Sequence, residues 1–176
     1  MPLGDVAGLD AGWLETHLPH RGRMCLLAHV LDWDEERIRC LCTGHRDPEH
    51  PLRAHGRLGI AAGIELGSQA MAAHGALTGA AAGAGGAVDA DGRARFGMLA
   101  SLRAVHFEAL RLDDIAADLI CSARRLAGDG ASALYEFTLT AADRTLLTGR
   151  ATVVLDAAAA GAAAAGAAAA GAWARR

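Results

Sequence analysis

The run from Leu58 to Leu77, LGIAAGIELGSQAMAAHGAL, is built from glycine, alanine and aliphatic residues, and Glu65 is its only acidic group. A carboxylate among such neighbours is costly to bury unless it is hydrogen-bonded or put to use. Glu65 and Gln69 are four apart, so a helix stacks them on one face, while Ile60, Ile64, Met71 and the alanines supply apolar surface. The expectation is a buried central helix with one polar stripe, which needs a sheet to cover it. Ahead of it, Pro48 to Arg57 is a polar, turn-forming loop carrying His50 and His55.

The flanking sequence supplies that sheet. Leu9 to Leu18 reads as a short helix capped by Asp10 and stopped by Pro19. Met24 to Trp33 reads as a buried strand, Asp34-Glu35-Glu36 as a turn, and Arg37 to Thr43 as a strand with Ile38, Cys40 and Cys42 on one face. Cys40 and Cys42 are expected as small core hydrophobes. A Gly/Ala linker is expected from Thr78 to Gly92. Then Met98 to Leu110, Ile115 to Leu126, Ala133 to Ala141 and Thr145 to Leu155 read as strands, with turns near Asp129 and Asp143. This predicts an α+β domain over residues 1–156, in which an antiparallel sheet of five or six strands wraps a long central helix. Residues 157–176 are an Ala/Gly-rich low-complexity tail, expected to be mobile or frayed and to carry no chemistry.

Charge and residue usage remove several functions. A net charge of −3 with both signs scattered gives no basic footprint for nucleic acid. All 17 basic residues are arginine and there is no Asn, which excludes Schiff-base lysine chemistry, a P-loop lysine and an Asn-glycosylation acceptor. The four cysteines form no C-x-x-C pair and no zinc spacing. With no signal-like start and no stretch apolar enough to span a membrane, a cytoplasmic protein is expected.

Leu18-Pro19-His20-Arg21, a strand pair, a His50-Pro51 loop and a helix reading Glu65-x-x-x-Gln69-Ala70-Met71 together resemble the hot-dog-fold 3-hydroxyacyl-acyl-carrier-protein dehydratases. The pattern G-R-L-x-x-x-x-G-I-E-x-x-x-Q-A-M from Gly56 to Met71 is nearer still to the dehydratase-like proteins of aryl-polyene-type pigment synthesis. The loop departs from the family's glycine-flanked histidine, reading Glu49-His50-Pro51-Leu52-Arg53. What the resemblance implies is a hot-dog fold and dehydration of 3-hydroxyacyl thioesters to trans-2-enoyl thioesters in fatty-acid or polyene-type biosynthesis. It further implies an acyl carrier protein as substrate carrier and a homodimer or heterodimer of hot-dog chains, in which the His of one subunit faces the Glu of the other. His50 is the implied base and Glu65 the acidic partner, with His55 and His20 as alternative bases.

Physical chemistry gives these residues parts. An imidazole suits removal of the C2 proton, and burial is expected to raise the Glu65 pKa so that it donates or shuttles the second proton. A developing enolate would face the amides around Gly59 and Ile60 at the helix N-terminus. Gln69 either orients the carboxylate or a water, or satisfies a buried backbone group. No metal or organic cofactor is required. Arg21, Arg23, Arg46, Arg53 and Arg57 are candidate contacts for an acidic carrier, and Arg21 is equally a candidate structural partner. His74 and His106 are assigned to packing or surface, His29 to its strand. Two alternatives stay open: a hot-dog acyl thioesterase, and a non-catalytic hot-dog subunit that pairs with an active paralogue.

Overall fold

Asp10 opens helix α1, Ala11–His17, by accepting the Trp13 amide hydrogen on Oδ1 at 3.1 Å. Arg21 closes it, donating from Nη1 to the carbonyls of Glu15 and Leu18. In the computed structural model, which describes residues 4–81, 97–129 and 131–154, six strands follow. They are β1 His29–Trp33, β2 Arg37–Cys42, β3 Met98–Phe107, β4 Leu119–Gly128, β5 Ser132–Ala141 and β6 Arg144–Val154. They form one antiparallel sheet in the order β1-β2-β4-β5-β6-β3. Helix α2, Ala62–Ala81, packs on β2, β4 and β5. This is the hot-dog arrangement expected from the sequence.

Element boundaries differ where a distant partner intervenes. The strand expected from Met24 begins at His29, because the Gln69 side chain takes the Met24 carbonyl and the Leu26 amide. The helix expected from Leu58 begins at Ala62, because residues 58–60 lie extended against 110–112. There the Leu112 amide donates to the Leu58 carbonyl at 2.8 Å and the Ile60 amide to the Leu110 carbonyl at 3.1 Å. The linker expected from Thr78 starts inside α2, which continues to Ala81. The remainder of that linker and the 157–176 tail lie outside the described residues.

Alternation matches the burial in β2 and β5 but not in β3, where Leu99, Leu102 and Phe107 are exposed. Ile38, Cys40 and Cys42 are buried, and so are Ala133, Tyr135, Phe137, Leu139 and Ala141 along β5. Burial raises the Cys42 thiol to about 12 and pushes the Cys40 and Cys121 thiols well up too, so all three are protonated core groups. Phe137 fills the space between helix and sheet. A Cβ added at Gly67 of α2 would lie 2.8 Å from its Cδ2, and one at Gly149 of β6 would lie 2.7 Å from its Cζ. His74, fully buried, ties α2 to the β1–β2 turn through Nε2, which donates to the Asp34 carbonyl at 2.9 Å. Its Nδ1 therefore accepts from the Tyr135 hydroxyl at 2.9 Å. No helix among the described residues is long and apolar enough to cross a membrane.

Candidate functional site

Glu65 lies in the first turn of α2, partly buried. Its Oε1 accepts from Gln69 Nε2 at 3.0 Å and sits 2.8 Å from His20 Nε2 in the Leu18–Arg21 loop. Gln69 is fully buried. Its second amide hydrogen goes to the Met24 carbonyl at 2.8 Å, and its Oε1 accepts from the Leu26 amide at 2.9 Å. Both hydrogens of the Gln69 amide are thus spent inside the protein, so this side chain orients the carboxylate and satisfies buried backbone groups, with no donor left for a substrate.

The charge state of Glu65 differs from the sequence expectation. Burial does push its pKa up, but the hydrogen bonds from His20 and Gln69 outweigh it and hold the carboxyl below its ordinary value. Glu65 is an ionised acceptor at neutral pH. Gln69 was expected to orient this carboxylate; the missing element was the second donor, His20, from a loop distant in sequence.

Of the two amides expected to face an enolate, that of Ile60 is spent on the Leu110 carbonyl. Gly59 lies between the two hydrogen bonds of its bridge with Arg111, and its own amide enters neither. The amides of Ala62, Gly63 and Ile64 point back to the carbonyls of Gly59, Ile60 and Ala61. The helix N-terminus is thereby closed by its own tight turn.

His50 sits partly buried in the loop before the helix. Its Nδ1 accepts from the Leu52 amide at 3.2 Å. The hydrogen of the neutral ring is therefore on Nε2. Burial, against a partial offset from Asp47, lowers its pKa and keeps it neutral. Arg23 braces this loop from the Leu18–Arg21 side, reaching Asp47 at 3.0 Å and the Glu49 carbonyl. No hydrogen bond joins His50 to Glu65 within the chain; Glu65 meets His20 and Gln69 instead. His55 is exposed, in a turn with φ of 50°.

His50 borders a small hollow whose other polar wall is His45, a residue the sequence reading passed over. His45 is 2% exposed and binds the Ile115 carbonyl through Nε2 at 2.9 Å. Its only sequence signal was a second histidine in the same loop, five residues ahead of His50. Arg53 also differs from expectation: it pairs at 2.8 Å with Asp113, whose side chain is 2% exposed and also holds Arg111 at 2.6 Å. Hydrogen bonding from Arg111 holds the Asp113 carboxyl well below the usual range. Arg53 thus fastens the His50 loop to residues 111–113, and Arg21 is a helix cap, while the exposed Arg57 makes no ion pair among the described residues. Among the described residues, no three His, Cys, Asp or Glu side chains gather as a metal-binding group.

The family model of the ApeP-like proteins, described as ApeP dehydratase, matches residues 13–163. The chain belongs to the ApeP-like dehydratase family. That match takes in the Leu18–Arg21 loop, the His50 loop and α2 together, and family membership makes the chain one of the hydro-lyase type. Among solved structures, a chain of the dehydratase heterocomplex ApeI:P from Xenorhabdus doucetiae is similar at a TM-score of 0.69 and 23% identity. The alignment covers 81% of this chain and 90% of that one. Zebra fish thioesterase superfamily member 2 is similar at 0.54 and 14% identity, over 83% of this chain and 93% of that one. The E. coli PaaI protein from the phenylacetic acid degradation operon follows at 0.51 and 12% identity, over 72% and 78%. At these identities the structures establish the fold that the ApeP-like family shares with other hot-dog proteins. A search of curated proteins finds no match.

Proposed function

We propose that this chain dehydrates 3-hydroxyacyl thioesters, presented on acyl carrier protein, to trans-2-enoyl thioesters in cytoplasmic fatty-acid or polyene-type biosynthesis. The observation that carries this reading is the ionised Glu65 carboxylate, held by Gln69 and His20 in the first turn of α2, where it is the only acidic group. Such a group is a base in waiting. It accepts the C2 proton, and the electrons left on C2 form the C2–C3 double bond as the C3–O bond breaks. The carboxylic acid so made returns its proton to the departing oxygen, which leaves as water. His50, neutral and carrying its hydrogen on Nε2, holds that oxygen by a hydrogen bond. The parts are therefore reversed from those implied by resemblance, with Glu65 as base and His50 as donor. The histidine that meets Glu65 in the working enzyme comes from a paired hot-dog chain, His50 when that chain is a second copy of this one, and edge strand β3 offers the pairing surface. Its side chains Met98, Leu99, Leu102 and Phe107 are exposed apolar groups.

The test follows enoyl absorbance with purified protein on 3-hydroxyacyl-carrier protein, alone and mixed with a second hot-dog chain of the same gene neighbourhood. Glu65→Gln and His50→Ala are each expected to lose about a hundredfold in turnover. Absence of dehydration in both settings would overturn the reading. One observation favours a second reading: an ionised carboxylate also activates water, as an acyl thioesterase requires. Release of free thiol without enoyl absorbance would assign it.

A further inference from the structure

We propose that the hollow beside His50 binds a single O–H group, and that His45 makes it selective for one. Water would occupy it in the free protein. On the dehydratase reading, which this second half rests on, the substrate's C3 hydroxyl takes the same place.

The argument starts from His45. Its Nε2 donates to the Ile115 carbonyl at 2.9 Å, so in the neutral ring Nδ1 carries the lone pair. That Nδ1 is buried and has no hydrogen-bond partner among the described residues. His50, on the same hollow, offers the complement, an Nε2–H, because its Nδ1 is taken by the Leu52 amide. The rest of the wall is Leu26, Leu58, Ala62, Leu66 and Leu112, with the weakly polar Cys42 thiol and Gly44, whose carbonyl already accepts from the Asp47 amide. The space suits about one water molecule. One strong donor and one strong acceptor between apolar walls fit a group that takes one hydrogen bond and gives one. Water and an alcohol do both. A carbonyl only accepts, and would leave His45 Nδ1 buried and unpaired. His45 is thus a positioning and specificity residue: it holds the oxygen that His50 binds, and it tells a 3-hydroxyacyl group from a 3-oxoacyl group.

Long-range proton–nitrogen spectra of the histidine-labelled full chain test the water half without any turnover. The expected result is a hydrogen-bonded acceptor signal for His45 Nδ1 and a protonated His50 Nε2 that shifts in His45→Phe but not in His45→Gln. Glutamine keeps a donor for Ile115 and an acceptor for the hollow. A bare Nδ1 signal in the wild type would overturn the water site. The substrate half is read in the Glu65→Gln background, with 3-hydroxyacyl and 3-oxoacyl pantetheine thioesters of equal length as probes. The hydroxyacyl probe is expected to bind about tenfold tighter, a preference lost with His45→Phe and kept with His45→Gln. Equal affinity for the two probes would overturn the selectivity. If His45→Phe fails to fold, the wild-type spectrum and the glutamine variant decide. A bridged His45 in a protein that never forms enoyl product would sink the dehydratase reading alone.

Discussion

His74 shows at the scale of one residue how burial sets both chemistry and stability. Buried between Asp34 and Tyr135, it is pushed down from an ordinary 6.5 to about 4, desolvation being the main cause. Between those values the unfolded chain binds a proton that the folded chain refuses, so the His74 contribution is complete above about pH 6.5 and drains away as pH falls toward 4. The stability measured by urea unfolding is expected to drop by about 2 kcal/mol between about pH 7 and about pH 5 from this group. His74→Gln is expected to remove that share of the slope; an unchanged slope would show that other groups carry it. Glu65 obeys the same balance with the opposite outcome, since its two donors overcome its desolvation. The sequence displayed Gln69 as its neighbour on the helix face, but not His20, because loop and helix meet only in three dimensions. His45 was hidden for the same reason: its partner carbonyl, Ile115, lies at the far side of β3 in the chain.

At the scale of elements, strands and the central helix were legible because alternation and helical spacing are local properties. Their true ends were not. The helix begins at Ala62 since Leu58 and Ile60 are claimed by Leu112 and Leu110, and no local signal announces such a pairing. The close fit of α2 onto the sheet yields a sharp expectation at Gly67. Alanine there adds about 1 kcal/mol of helix propensity, yet its methyl would meet the Phe137 ring at 2.8 Å. The ring has nowhere to go, because the backbone of Gly149 lies against its other edge. Overpacking of about 1–3 kcal/mol is expected to win. Gly67→Ala should therefore lower the urea midpoint, and a midpoint at or above wild type would mean that the layers slide apart freely.

For the molecule as a whole, the question is what meets β3. This strand is bonded to β6 on one side and ends the sheet on the other, with Leu102 and Phe107 exposed at 37% and 49%. Charges placed at such positions cost the isolated chain little. They would be costly beneath a partner strand. Leu102→Glu with Phe107→Glu is expected to leave circular dichroism unchanged while sedimentation shifts from paired to single chains, alone or in a mixture with a second hot-dog protein. Sedimentation identical to wild type would place the pairing surface elsewhere. On the proposed pairing, the partner is what this chain makes least visible, since one edge can accept a like or an unlike strand.

The clamp made by Gln69 has a bearing on transplantation. Helix α2 could be grafted whole into another hot-dog scaffold, and Glu65 would arrive with it. Its full set of hydrogen bonds would not. The acidity of that carboxylate is written in the backbone at Met24 and Leu26, which fixes the amide, and in His20 beside it. A chimera must carry residues 18–26 along with the helix to inherit a working carboxylate rather than a mute one.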